Sequence, residues 1–447
     1  APFVLVLLIV AMVAFYATSF DSIALTASCY SYHGLAEGEQ PHKGIQLLWC
    51  ILLILLPIAL LFAESSMSNL QSVSIVAAFP IGVVILLITG SFLKDAKKYI
   101  KEKQAPLHFG ADGKFRILHL TDVHEVDPEM DDEEDRQIPI NKSKETINVI
   151  RRCIEIANPD LIVFGGDNIS GYWQEFTYEY MYNTIKKIVA PIAEKNIPLA
   201  IVFGNHDAEA QPKLPFLAKE NQICIYAEYE NFRSTMNDED VSGCANCSLP
   251  ILSSDGKHIA WNIWCIDSGD YVRDDEVNVI DDAGYGFVKK DQIAWYERRA
   301  AELKAQNGGK AVPSLLFQHI PVIQEYNNLK KDPDGEYSLG AQHYSVPDGA
   351  LLEGEIHESP CPPLENGDEF ESWKRTGDIV AAFFGHDHVN TFTMEVDGIK
   401  LVQTPGAGYH TYGDKRGGRL IIIDENKPDS YESECIFIDR ITQGELK

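Results

Sequence analysis

The chain has 447 residues, with 66 Asp or Glu against 38 Lys or Arg, and so carries a net charge of −28. That balance argues against a long nucleic-acid strand held electrostatically, because phosphate backbones are gripped by Lys/Arg stripes. The length allows one large α/β domain of roughly 330 residues behind a separate N-terminal region.

That region comes first in chain order. Residues 2–17, 46–63 and 74–93 are nearly uncharged apolar stretches of about membrane-spanning length. Three in succession predict an anchor of about three transmembrane helices over residues 1–93, attaching the chain to a lipid bilayer as a multi-pass protein. Ala17-Thr-Ser19 has the form of a signal-peptidase site, although no basic region precedes it. Lys94, Lys97, Lys98, Lys101 and Lys103 follow the last stretch, in a basic linker of residues 94–110. The positive-inside tendency places these lysines, and the domain after them, in the cytoplasm, whereas an N-terminal signal or a reversed first span places the domain outside.

Residues 111–447 alternate apolar strand patterns with helical ones. The expected strands are Phe115–Leu120, Leu161–Phe164, Leu199–Phe203, Ser314–Phe317 and Ile379–Phe384. Near-continuous apolar runs of this length read as strands buried on both faces. Helical patterns run over Lys144–Ala157 and Tyr178–Lys195. Alternation of this kind predicts an α/β sandwich, in which ligands gather beyond the carboxyl ends of the strands. Trp261–Ile266 reads as a further core strand, and Asp267 after it as the cap of a turn.

Each of the five strands ends in residues of metal-ligand type: Asp122-Val-His124, Gly166-Asp167, Gly204-Asn205-His206-Asp207, His319, and Gly385-His386-Asp387-His388. One such cluster reads as a polar turn, but five at equivalent strand ends do not. Together they offer imidazole, carboxylate and amide donors to two divalent metals, as two-metal phosphoester hydrolysis requires. Gly165, Gly166, Gly204 and Gly385 stand where the chain must turn sharply beside a charged site.

The remaining histidines read differently. His119 belongs to the core, His258, His343 and His357 to solvated stretches, and His410 reads equally as bordering the pocket or not. The acidic run Asp127–Asp135 reads as a solvated loop. Residues 208–260 and 325–378 are long insertions of the kind that shape a pocket. Tyr226, Tyr229, Phe232, Tyr326 and Tyr344 are candidates for its wall or for a core beneath the loops. Cys244 and Cys247 form a CxxC without a second pair at zinc-finger spacing, which leaves a local disulfide or free thiols.

The series Asp-x-His, Gly-Asp, Gly-Asn-His-Asp, distal His and Gly-His-x-His resembles the calcineurin-like metallophosphoesterase superfamily. With Gly408-Tyr, Tyr412-Gly and Arg416-Gly417 downstream, it is similar to the branch of purple acid phosphatases and Dcr2-type phosphatases. Where purple acid phosphatases carry a tyrosine three residues after the bridging aspartate, this chain has Ser170, and His124 stands where their first motif ends in glycine. The resemblance implies a two-sheet αββα sandwich for residues 111–447 and two metal ions: manganese or an iron-containing pair first, with zinc also suited. It assigns Asp122, His124, Asp167 and His388 to one metal, and Asp167, Asn205, His319 and His386 to the other. It further implies in-line attack on a phosphomonoester by a metal-bridging hydroxide, with His206 protonating the leaving group and Asp207 orienting His206. The rivals are a phosphodiesterase or nuclease with the same ligands, and a non-catalytic membrane sensor. No obligate protein partner is evident.

Overall fold

The computed structural model describes residues 23–28, 31, 41–62, 106–127, 137–172, 177–237, 241–274, 278–279, 284–365 and 367–440. The chain falls into two compact units, Ala1–Tyr99 and Ile100–Lys447. In the first, α1 (Lys43–Phe62) turns the middle apolar stretch into one continuous helix of 20 residues. Its side-chain surroundings are described only as far as residue 53. Among the described residues no helix is long and apolar enough to cross a membrane. The expected spans 2–17 and 74–93, Ala17–Ser19, the lysines of residues 94–103 and the acidic run beyond Asp127 lie outside the described residues.

The second unit is built on two mixed sheets. Strands β1 (Leu107–His108), β2 (Lys114–Leu120), β3 (Leu161–Gly165), β4 (Leu199–Val202), β5 (Cys247–Leu252), β6 (Ile259–Cys265), β7 (Ser314–Phe317), β8 (Ile379–Phe384), β9 (Thr393–Val396), β10 (Ile399–Gln403), β11 (Arg416–Asp424) and β12 (Tyr431–Ile438) form them. One sheet has the order β12-β11-β2-β3-β4, and the other β1-β5-β6-β7-β8-β10-β9. Within the first, β2, β3 and β4 are parallel. Within the second, β6, β7, β8 and β10 are parallel. The five expected strands are thus all present: β2, β3 and β4 form the parallel end of the first sheet, with β4 at its edge, and β7 and β8 lie inside the second.

Burial on both faces explains their apolar runs. Along β2, Phe115 and Ile117 join Trp261, Ile263, Phe317 and Phe383 in a core between the sheets. Leu118 and Leu120 point the other way, toward Val149, Ile150 and Ile154 of α2 (Gln137–Ala157) and Met181 and Ile185 of α3 (Tyr178–Ala193). On the far face of the second sheet, Trp264, Leu316 and Phe384 meet Trp295 and Tyr296 of α5 (Lys290–Gln306) and Phe370 and Trp373 of α6 (Glu369–Thr376). A short helix, α4 (Lys219–Tyr226), lies between α3 and α5 in sequence. The layers are helix, sheet, sheet, helix. Helix α2 starts seven residues before the expected Lys144, with Pro139 in its first turn, where a missing N–H costs nothing.

The aromatic residues of the insertions belong to cores rather than to a pocket wall. Tyr226 stacks on Phe232 at 6.0 Å, and Tyr326 meets Tyr344 at 4.7 Å, inside the two helix-covered layers. The second insertion builds its own small sheet from Lys330–Lys331, Tyr337–Leu339 and Gln342–Ser345. Asp267 accepts from Lys219 and from the backbone N–H of Cys244 and Gly269, as a turn-capping residue does. Cys244 and Cys247 are free thiols, and Cys247 lies opposite Cys265 across β5 and β6.

Candidate metal centre

Beyond the carboxyl ends of β2, β3 and β8 the backbone takes conformations that ordinary residues avoid. Asp122, His124, Asp167 and His386 have φ of 51°, 44°, 50° and 72°. Left-handed backbone at non-glycine residues costs on the order of 1–3 kcal/mol each and persists only where surrounding structure enforces it. Here the enforcement is a ladder between loops: Asp122 N–H donates to Gly166 O at 3.0 Å, His124 N–H to Asp167 O at 2.8 Å, and Gly385 N–H to His319 O at 3.1 Å. The effect is to turn the ligand side chains of separate strands toward one point. Gly204 and Gly385 make room for it. A Cβ on Gly204 would run into the Asp167 carboxylate, and one on Gly385 into Thr121 and Asp122.

The structure brings the expected carboxylates and imidazoles together. One ligand atom each from Asp122, His124, Asp167 and His388 lie within 4.8 Å of one another, as do those of Asp167, His319 and His386. Asp167 belongs to both groups. Its Oδ1 accepts from the backbone N–H of His206 at 2.7 Å. Its Oδ2 has no hydrogen-bond partner and stands 3.1 Å from His319 Nε2 and 3.6 Å from His124 Nε2. Asp122 Oδ1 stands 3.4 Å from His388 Nε2. Asn205 donates its Nδ2 to Tyr271 Oη at 2.8 Å, which leaves Oδ1 buried and unpartnered.

These orphaned donors fit two cations. Buried polar atoms without partners are rare, and buried carboxylates are paired or coordinate metals. Both nitrogens of His124 and Nε2 of His386 are buried without partners as well. Burial holds His124 and His386 well below the ordinary histidine pKa and His388 at about 3, so all three present neutral imidazole lone pairs, the ligating form. Burial also opposes charge on His319, yet the Asp167 and Asp122 carboxylates outweigh it and raise that imidazole to about 9. The field that would protonate His319 is the field that draws a metal ion. Two ligands are also fixed from behind: His319 Nδ1 meets Gly165 O at 2.9 Å and His388 Nδ1 meets Thr411 Oγ1 at 2.7 Å, each turning Nε2 toward the carboxylates.

His206 lies beside the ligands, its ring 5.3 Å from that of His124, with about a quarter of its side chain open to solvent. Its expected partner is corrected by the structure. Asp207 is fully buried and accepts from the backbone N–H groups of Asn168, Ile169 and Gly204, stitching the loops after β3 and β4 together. The carboxylate on His206 is instead that of Glu209, with Oε2 2.5 Å from Nδ1. Burial works against a charged His206, but Asp167 and Glu209 outweigh it and raise its pKa. Glu209 lies three residues on in a turn, a spacing visible in sequence only once the turn is known. Tyr271, whose Oη lies 3.4 Å from His206 Nε2, carries no sequence signal at all.

The other histidines fall as expected. His119 is fully buried against Phe317, and burial brings it to about 3. His258, His343 and His357 are exposed, and His410 joins neither ligand group. Ser170, at the position of the missing tyrosine, donates its hydroxyl to His124 O.

A family model described as calcineurin-like phosphoesterase matches residues 115–390. A second, the betaine/carnitine/choline family transporter, matches residues 1–101. The chain is 28% identical over 339 residues to "Probable inactive purple acid phosphatase 14" of Arabidopsis thaliana, covering 71% of this chain and 77% of that protein. It is 26% identical over 309 residues to "Phosphatase DCR2" of Saccharomyces cerevisiae, covering 68% and 48%. A solved dimetal phosphatase from Danio rerio aligns with a TM-score of 0.40 at 11% identity, over 69% of this chain and 95% of that one. From its first long strand to Asn390, with every ligand cluster inside the matched stretch, the chain belongs to the calcineurin-like phosphoesterase family.

Proposed function

We propose that the protein is a membrane-anchored, dinuclear-metal phosphomonoesterase. The observation that carries this reading is the carboxylate of Asp167, buried and shared between two groups in which His124, His319 and His386 also keep buried, unpartnered nitrogens. Asp122, His124, Asp167 and His388 would hold one ion, and Asp167, Asn205, His319 and His386 the other. Bound there, manganese, iron or zinc would acidify water and polarise phosphoryl oxygens. The chain's own contribution to turnover is a proton. His206 faces the open side of the ligand group, and Glu209 on Nδ1 leaves Nε2 as the nitrogen that delivers a proton to the departing alkoxide. Tyr271 braces both partners, through Asn205 and beside His206. A plant relative is called inactive in its printed name; in this chain the presence of Asn205 and His206 beside the ligand groups is what supports activity over a silent scaffold.

Membrane attachment rests on the three apolar stretches of the sequence, residues 2–17, 46–63 and 74–93, and not on any described helix. The transporter-family match over residues 1–101 supports the same reading, and the lysines of residues 94–103 favour a cytoplasmic catalytic unit.

The test compares p-nitrophenyl phosphate with its bis-ester on metal-loaded protein. Faster hydrolysis of the monoester is expected, and His206→Ala should lower kcat about 10²–10⁴-fold with unchanged metal content. Preference for the bis-ester would make the protein a diesterase, and no turnover of either would return it to the scaffold reading.

A further inference from the structure

Four tyrosines border the ligand group, each packed on one of its imidazoles or on that of His206. Tyr172 meets His206 edge-on at 5.4 Å, and Tyr271 meets the same ring at 5.9 Å. Tyr285 stands edge-on to His386 at 4.4 Å and touches Tyr271 at 5.4 Å. Tyr412 stacks on His388 at 4.3 Å, with its hydroxyl donated to Glu358 at 2.7 Å. They come from three connections, Tyr271 and Tyr285 sharing the one between β6 and α5, and the contacts join them into a continuous aromatic border: Tyr172, His206, Tyr271, Tyr285 and His386 along one side, then His206, His124, His388 and Tyr412 along the other. Two of the rings remain open to solvent despite these contacts. Tyr172 is 37% exposed and Tyr412 is 56% exposed.

Charge at this border points the same way. Among the described residues, cations close to it are engaged: Lys219 with Asp267, Arg273 with Asp270, Arg416 with the carbonyls of Thr411 and Lys415, and Lys415 over the ring of Phe437. Glu209, Asp270 and Glu358 add negative charge around the same rings. A leaving group bearing further phosphates would meet repulsion from these carboxylates. A flat, uncharged ring would meet tyrosine faces and edges, which attract aromatic partners beyond simple burial.

We propose that this border is the leaving-group site, and that it selects phosphomonoesters of aromatic alcohols, a phosphotyrosine side chain among them, over those of aliphatic alcohols. The assignment rests on the phosphomonoesterase reading above and adds the substrate class to it. Reaction rates alone would not test it, because aryl phosphates are intrinsically better leaving groups. Binding does. The metal-loaded full chain is titrated calorimetrically with phenylphosphonate and with methylphosphonate, neither of which can be hydrolysed.

Phenylphosphonate is expected to bind about tenfold more tightly, a difference of about 1.4 kcal/mol. Tyr172→Ala should shrink the ratio to about threefold or less, while Tyr172→Phe, which keeps the ring, should preserve it. Metal content is measured on each variant. Equal affinities in the wild-type protein, or a ratio indifferent to Tyr172→Ala, overturn the leaving-group site and leave the phosphomonoesterase reading standing. Binding of neither phosphonate overturns both.

Discussion

Two carboxylates two residues apart, Asp207 and Glu209, divide the work around His206. Asp207 is spent entirely on backbone N–H groups, so its side chain shapes the loops that present Asn205 and Asp167. Glu209 touches the imidazole itself and decides which ring nitrogen carries the proton. Glu209→Gln keeps the shape of the side chain and removes its charge. A loss of about 10–100-fold in kcat is expected, with metal content unchanged on elemental analysis. A loss of metal in parallel with activity would show that Glu209 supports the ligands rather than the acid. Asp207 was readable from sequence as important, because it completes a Gly-Asn-His-Asp motif. Its partner was not readable, since proximity in sequence says nothing of whether a side chain turns inward to backbone or outward to a neighbouring ring.

Among the elements, strands carry the ligands and helices carry the strands. The five ligand-bearing strands were legible because burial on both faces leaves them apolar throughout, and each ligand cluster follows directly where that apolarity stops. The border tyrosines were not legible: Tyr172, Tyr271, Tyr285 and Tyr412 sit in loops without periodicity, and their meeting depends on packing between segments far apart in the chain. Helix α6 offers a separate test of how tightly the second sheet is covered. Glu369, its first residue, is buried beside Gln318, and burial raises its pKa to about 8 despite that hydrogen bond. In the unfolded chain the same group titrates near 4.5. Between these values the native state keeps a proton that the unfolded state has released, so this group subtracts stability as pH rises from about 4.5 to about 8 and then no further. Glu369→Gln, neutral at every pH, should therefore gain thermal stability relative to wild type on going from pH 5 to pH 8. The expected gain is a few degrees in Tm, on the order of 1–2 kcal/mol after allowance for relaxation. A Tm difference independent of pH would mean that the wild-type carboxylate finds a charged partner on ionising.

At the scale of the whole molecule, the net charge of −28 sets one constraint, disfavouring a bound nucleic-acid strand, and the apolar N-terminal stretches set the other. The full chain is expected to remain with membranes through high salt and alkaline carbonate and to be released only by detergent, as integral segments are. Release by salt alone would contradict integral attachment. The account's central claim is narrower: one buried carboxylate, Asp167, joins two metal ions. Elemental analysis of purified protein and of Asp167→Ala, each loaded with manganese and dialysed, tests it most directly. The account predicts two ions per wild-type chain and a collapse toward none in the variant, because each ligand group loses its shared member. A single ion in the wild type, or two ions retained by Asp167→Ala, would contradict it.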